Sequence, residues 1–235
     1  MNNKLMKKMI VASSVACVLS LSANANAAIS STVKLASDYT FNGVSQTDNK
    51  PALQASLDYA ADSGFYTGVW ASNVDFGDDT DFELDVYAGQ YFQLNEKIGL
   101  DVGAAYYTYQ GANSDGNYAE FYAKFGYNSS FGDSELNFWY APDYFGADVG
   151  HYITMVAHTF EVVPGHNVKV TFDRSTSKNK NRWSWDGKSA YNHYRVEYMT
   201  NYSGFDFNVA LEDTSMDFDI ADRRVVFAVS RTFNF

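Results

Sequence analysis

Cysteine is almost missing from this chain: Cys17 is the only one in 235 residues, and it falls in a leader-like N-terminus. A mature protein cut behind that leader has no disulfide and no thiol chemistry. Long apolar runs are missing too. Past residue 21 nothing reaches the roughly 18 consecutive apolar residues of a transmembrane helix. A membrane location would therefore need strands, and strands cross a bilayer only as a closed barrel. Bases are scarce, with 17 Lys and Arg against 28 Asp and Glu and a net charge of −11. Nucleic acid, which needs a basic face, is disfavoured as a partner. No glycine-rich phosphate loop opens a helix. His151 and His158 face opposite sides of one strand, His166 sits in a turn, and the acids Asp78, Asp79 and Asp81 or Asp217, Asp219 and Asp222 fit no calcium-loop pattern. No metal or other cofactor is expected.

A secretory leader is present. Lys4, Lys7 and Lys8 precede an apolar run from Met9 to Leu21, followed by small residues at Ala23, Ala25, Ala27 and Ala28. This is the pattern of a Sec signal peptide over residues 1–27, cut after Ala27 or alternatively after Ala25. Loss of its three lysines takes the net charge from −11 to −14.

The remainder, 28–235, divides into about twelve alternating segments of bilayer-crossing length, the first over 31–42 and followed by an outer loop at 43–51, connected alternately by short and long loops. Leu53, Ala55, Leu57 and Tyr59 share one face of a strand whose other face carries Gln54, Ser56 and Asp58. The same two-residue period recurs at Phe82–Ala88, Ile98–Ala104 and Phe205–Leu211. The expected fold is all-β: a single antiparallel transmembrane β-barrel, apolar toward lipid and polar toward the lumen. The eighth segment is ambiguous, because Ile153, Met155 and Ala157 compete with Tyr152, Val156 and Phe160 for the apolar face, so ten strands also fit. The last strand places Val225, Phe227, Val229, Phe233 and Phe235 on one face, with Phe233 and Phe235 as the expected assembly signal. Aromatics make up 17% of the chain, and many sit at segment ends, as in the two aromatic girdles of membrane proteins.

The inward phase assigns Asp38, Asp58, Glu83, Asp85, Asp101, Glu120, Lys124, Asp173, Arg195, Glu197, Asp206 and Glu212 to the lumen as candidate pore-lining residues. Acids outnumber bases there by about two to one. A hydrated lumen of that charge favours cations or neutral solutes. The competing expectation is an interior plugged by paired charges, since barrels of about eight strands are filled and those of 16 to 18 are open.

One loop reverses the charge. Arg174, Lys178, Lys180, Arg182 and Lys188, with Trp183 and Trp185 among them, form a candidate contact for lipopolysaccharide phosphates, although a solvated loop explains them equally well. His193 faces inward near Asp173 and Ser175, the minimum for a rim hydrolase, but no nucleophile motif surrounds Ser175 and no catalytic residue is assigned.

The segments SDYTFNGVSQTDNKPALQASLDYA, from Ser37, and GFYTGVWASNVDFGDDTDFELDVYAG, from Gly64, resemble the TorF family of candidate porins, a conserved family of Gram-negative bacteria. The likeness continues through Tyr106–Tyr109, Asn117–Glu120 and Asp143–Gly146 and ends with RVVFAVSRTF. It implies an outer-membrane barrel with channel function and carries over no catalytic residue. Where the family has Arg after the Phe of its first motif, this chain has Asn42, so charge at that bend differs.

The expected protein is thus a porin-like channel in the outer membrane, passing small hydrophilic solutes by diffusion. Its alternative is a plugged barrel acting through its outer loops. Expected partners are outer-membrane lipid and lipopolysaccharide and, during biogenesis, periplasmic chaperones and the barrel-assembly machinery. Oligomeric state is left open.

Overall fold

The structure, a computed structural model, describes residues 28–111 and 114–235. The signal peptide expected over residues 1–27 lies outside the described residues. Fourteen strands follow: β1 (Ala28–Ala36), β2 (Thr40–Phe41), β3 (Val44–Ser45), β4 (Ala52–Ala60), β5 (Phe65–Asn73), β6 (Phe82–Gln93), β7 (Ile98–Gln110), β8 (Tyr118–Ser129), β9 (Gly132–Ala141), β10 (His151–Val163), β11 (His166–Ser177), β12 (Ala190–Tyr202), β13 (Phe205–Thr214) and β14 (Arg224–Asn234). Twelve of them form a closed antiparallel barrel, and β2 and β3 form a separate hairpin. Closure comes from β1, which pairs with β4 on one side (Leu35↔Leu53) and β14 on the other (Leu35↔Val229). No sheet edge of the barrel is left open, which is the condition for strands to cross a bilayer.

Alternation explains the barrel and its polarity. Leu53 and Leu57 are 60% and 51% exposed on the outer wall, while Gln54 and Asp58 between them are buried inside. Apolar side chains line the outside of every barrel strand, including Val86, Phe121, Phe172, Val196 and Phe227. Strand β10 settles the phase that the sequence left ambiguous: Ile153, Met155 and Ala157 point inward and Tyr152, Val156 and Phe160 outward. The inward trio is apolar because it packs with Trp139 and Phe41. The count is accordingly twelve, not ten.

Connections are short at one end of the barrel, as at Ser203–Gly204 between β12 and β13, where both residues have the left-handed φ of a tight hairpin turn (52° and 80°). The opposite end carries the long loops. There Tyr109, Tyr118, Tyr144, Phe145, Trp183 and Trp185 pack together. Phe145, itself left-handed at φ 52°, stacks between Tyr109 (5.2 Å between ring centroids) and Trp183 (5.4 Å). Trp183 and Trp185 therefore belong to this internal cluster and not to an outward-facing basic surface.

One expectation fails at β1. The sequence extends the first strand to residue 42 and makes 43–51 an outer loop. The strand instead ends at Ala36, and the chain turns into the barrel.

Candidate functional site

The hairpin β2–β3 turns on Asn42 and Gly43, with φ of 48° and 79°. Asn-Gly is the pair that best tolerates two successive left-handed residues, as a two-residue type I′ turn requires. The turn is also sterically fixed. A Cβ on Gly43 would lie 2.5 Å from His193 Cδ2 and 2.6 Å from Thr214 Cγ2.

This hairpin spans the lumen. On one wall Tyr39 meets the Trp70 ring edge-on at 5.3 Å, from β5. On the far wall, six strands around the barrel, Asn42 Nδ2 donates to Asp173 Oδ1 of β11 at 2.9 Å. Phe41 packs on the Trp139–Met155 patch of β9 and β10. The base of the segment is tied by Asp38, which accepts from Arg224 Nη1 (2.9 Å), Ser45 Oγ (2.6 Å) and Thr47 Oγ1 (2.9 Å). Outside the barrel, Lys50 Nζ lies 2.7 Å from Asp75 and by its hydrogen bond holds that carboxyl below the usual range.

Below the hairpin, toward the short-turn end, is a cavity of about 190 Å³, well beyond the needs of a single water. Its walls include Lys34, Trp70, Thr171, His193, Arg195 and Glu212, with Tyr39 to Gly43 as its roof. The charges beside it are largely matched. Arg195 bridges Glu212 (2.5 Å) and Glu197 (2.9 Å). His193 sits between two carboxylates, its Nδ1 2.6 Å from Asp173 Oδ2 and its Nε2 3.5 Å from Glu212 Oε2. Deeper in the wall, Lys169 and Glu135 are fully buried against each other at 2.6 Å. On the other side of the hairpin the chemistry changes. Glu83, Asp85 and Glu120 are buried among tyrosines: Tyr109 donates to Glu83 at 3.4 Å and Tyr107 to Glu120 at 3.0 Å. Burial and the nearby Glu83 and Asp85 carboxylates push the Tyr39 phenol well above its usual range. That ring stays a neutral donor over an acidic wall.

All twelve residues expected inside the barrel face its interior, yet they divide into groups. Asp38, Asp173, Arg195, Glu197 and Glu212 gather around the hairpin and cavity. Glu83, Asp85 and Glu120 lie under the tyrosines. Asp58 accepts from Ser56 Oγ (2.7 Å) and from Tyr87, and Asp101 from Tyr66 (2.7 Å). Lys124 lies 4.3 Å from the Tyr122 ring centroid. Asp206, near the short-turn end, accepts from Asn201. Sequence reasoning missed Asn42, Gly43, Tyr39 and Trp70 as a unit; the Asn-Gly dipeptide between alternating residues was the available signal.

The triad geometry considered for His193 is not formed. Ser175 pairs with Tyr191, while His193 is level with Asp173, and its Nε2 meets Glu212 in place of a hydroxyl. The five loop bases are all exposed at the long-loop end. Arg174 donates to Asn192 (2.7 Å), Arg182 pairs with Asp148 (3.3 Å), Lys188 with Asp186 (3.9 Å), and Lys178 lies over the Tyr140 ring. Phe233 and Phe235 are exposed on the outer wall, where the Phe235 N–H donates to the Ile29 carbonyl.

A family model described as a bacterial protein of unknown function, Gcw_chp, matches residues 21–233. No curated protein matches the chain. Among solved structures, a KdgM porin in complex with disordered oligogalacturonate is similar at 9% identity with a TM-score of 0.58, covering 88% of this chain and 99% of its own. The NanC porin is similar at 8% identity and a TM-score of 0.57, over 86% and 98%. An outer membrane channel from Pseudomonas putida F1 is similar at 11% and 0.54, over 88% and 95%. At such identities the likeness is one of fold.

Proposed function

The chain belongs to the Gcw_chp family of bacterial proteins of unknown function, and on that premise we propose that it is a porin-like outer-membrane channel through which small hydrophilic solutes diffuse passively, constricted by the β2–β3 hairpin. The observation that carries the reading is a hydrated-size cavity beneath a polar hairpin inside a closed twelve-strand barrel. The TorF likeness and the porin folds among the similar structures support it. Inward acids exceed inward bases, which favours cations or neutral solutes, although many of those acids already hold donors. No residue is assigned a catalytic role.

The test is conductance of the refolded protein in planar bilayers, with reversal potential under a salt gradient. Discrete steps and a cation preference that weakens in Asp85→Asn and Asp101→Asn are expected. A folded but silent barrel would overturn the channel and favour the second reading, a plugged barrel acting through its loops. That reading draws on the hairpin, which packs on the inner wall through Phe41, and on the aromatic cluster packed at the long-loop end. Within either reading the loop bases Arg174, Lys178, Lys180, Arg182 and Lys188 are proposed to meet lipopolysaccharide phosphates. Unchanged lipopolysaccharide binding after neutralising all five would remove that partner.

A further inference from the structure

The outer wall carries one charge that the lumen does not explain. On β14 the outward residues run Val225, Phe227, Val229, Arg231 and Phe233. On the outward strand faces, among the described residues, formal charges are otherwise confined to the long-loop end, at Arg174 and Asp213, and both have partners there: Asn192 for the first and Arg223 for the second. Arg231 lies at the opposite end. Asp206 pairs with Ser230, so Phe205, the first residue after the Ser203–Gly204 turn, is level with Arg231.

The guanidinium is held but not neutralised. Its Cζ lies 4.9 Å from the Phe205 ring centroid and 5.3 Å from that of Phe233. Among the described residues no carboxylate comes within ion-pair distance, and no hydrogen bond engages its five donors. Around it are exposed apolar side chains: Val33, directly opposite on β1, and Phe207 on β13. A cation clamped between two rings, on an otherwise apolar wall and one step from the rim, calls for an anion that brings its own apolar body.

We propose that Arg231, Phe205 and Phe233 form a phospholipid site, in which the guanidinium binds the lipid phosphate through paired N–H donors and the acyl chains run along Val33 and Phe207. Guanidinium and phosphate match in fork geometry, and the rings keep the fork flat and preorganised. The depth fits as well, since a base is tolerated on a barrel's lipid face near the interface and not at the midplane. The site rests on the reading of the barrel as membrane-spanning.

Native mass spectrometry of the detergent-purified barrel tests this, with phosphatidylglycerol and a diacylglycerol of the same chains as probes. Wild type should retain phosphatidylglycerol roughly fivefold better than Arg231→Gln, the scale of one base at a membrane surface, with Arg231→Lys between them. Diacylglycerol should be retained equally by all three. Equal retention of phosphatidylglycerol by wild type and Arg231→Gln would overturn the site, as would full competition by millimolar inorganic phosphate, which would mark a free-anion site. Heat-modifiable gel mobility establishes that each variant is folded, and Phe205→Leu, which removes one ring and keeps the base, should also lower retention. Failure of the barrel to insert into vesicles would instead refute the membrane reading itself.

Discussion

Asn42 Nδ2 donates to Asp173 Oδ1 at 2.9 Å, joining residues 131 apart in the chain across the width of the lumen. The same carboxylate lies 2.6 Å from His193 Nδ1, so the hairpin tip docks on a group already fixed in the wall. The hairpin itself is short, with only the Thr40↔Ser45 and Phe41↔Val44 pairs. Its position therefore depends on side-chain anchors. Asn42→Ala removes a hydrogen bond to a charged acceptor, a loss of about 1.5–3 kcal/mol or tenfold and more in the docked population. Single-channel conductance should rise and become noisier. Unaltered conductance would mean that the hairpin does not restrict the path.

Gly43 should show the same phenotype by a different route. Gly43→Ala imposes a Cβ at φ 79° and places it 2.5 Å from the His193 ring and 2.6 Å from Thr214. A left-handed non-glycine residue costs about 1–2 kcal/mol before any clash. The hairpin should leave its seat while the barrel, which shares no ladder bond with it, stays folded. Heat-modifiable gel mobility should match wild type, and conductance should match Asn42→Ala.

These two residues also mark where the sequence was hard to read. The barrel was legible because membrane strands repeat one rule: Leu53 and Leu57 out, Gln54 and Asp58 in. A period of two needs no knowledge of distant contacts. Loop destination does. The sequence carries the first strand's alternation to residue 42 and gives 43–51 the length and polarity of an outer loop, and only the Asn-Gly pair hints at a hairpin; that it points inward depends on Asp173, His193, Arg224 and Trp70, which lie far away in sequence. Strand β10 was ambiguous for a related reason, since Ile153 and Met155 are apolar to receive Phe41 from that hairpin. Pairing inside the lumen was only partly hidden: phase already places Arg195 and Glu197 two residues apart on one strand face, but only register brings Glu212 of the next strand to 2.5 Å from Arg195.

The lipid-facing wall makes its own prediction. Val86, mid-strand on β6 and 47% exposed, has apolar neighbours on the outside. Val86→Arg should cost about 2–4 kcal/mol if that position lies at the bilayer midplane. Ser56→Arg, which points into the cavity, should cost clearly less. Urea unfolding in lipid vesicles compares them, and equal costs would contradict the assignment of inside and outside.

Lys169 and Glu135 offer the sharpest test of what the lumen charges are for. Their side chains are 1% and 3% exposed, and Nζ to Oε1 is 2.6 Å. Glu135 also accepts from Asn137 at 3.1 Å, so the carboxylate is satisfied from two sides. Such a pair gains little over a well-packed apolar substitute, because desolvation offsets much of the Coulomb attraction, but removing one partner strands a buried charge at about 3–5 kcal/mol. Lys169→Met alone should therefore destabilise the barrel strongly. The double variant Lys169→Met with Glu135→Leu should recover most of the loss. If solute-bearing water reached this pair, either single change would be nearly neutral to stability and would shift ion selectivity instead. Unfolding free energy and reversal potential, measured on the same three variants, distinguish a structural strut from a charge exposed to the pore.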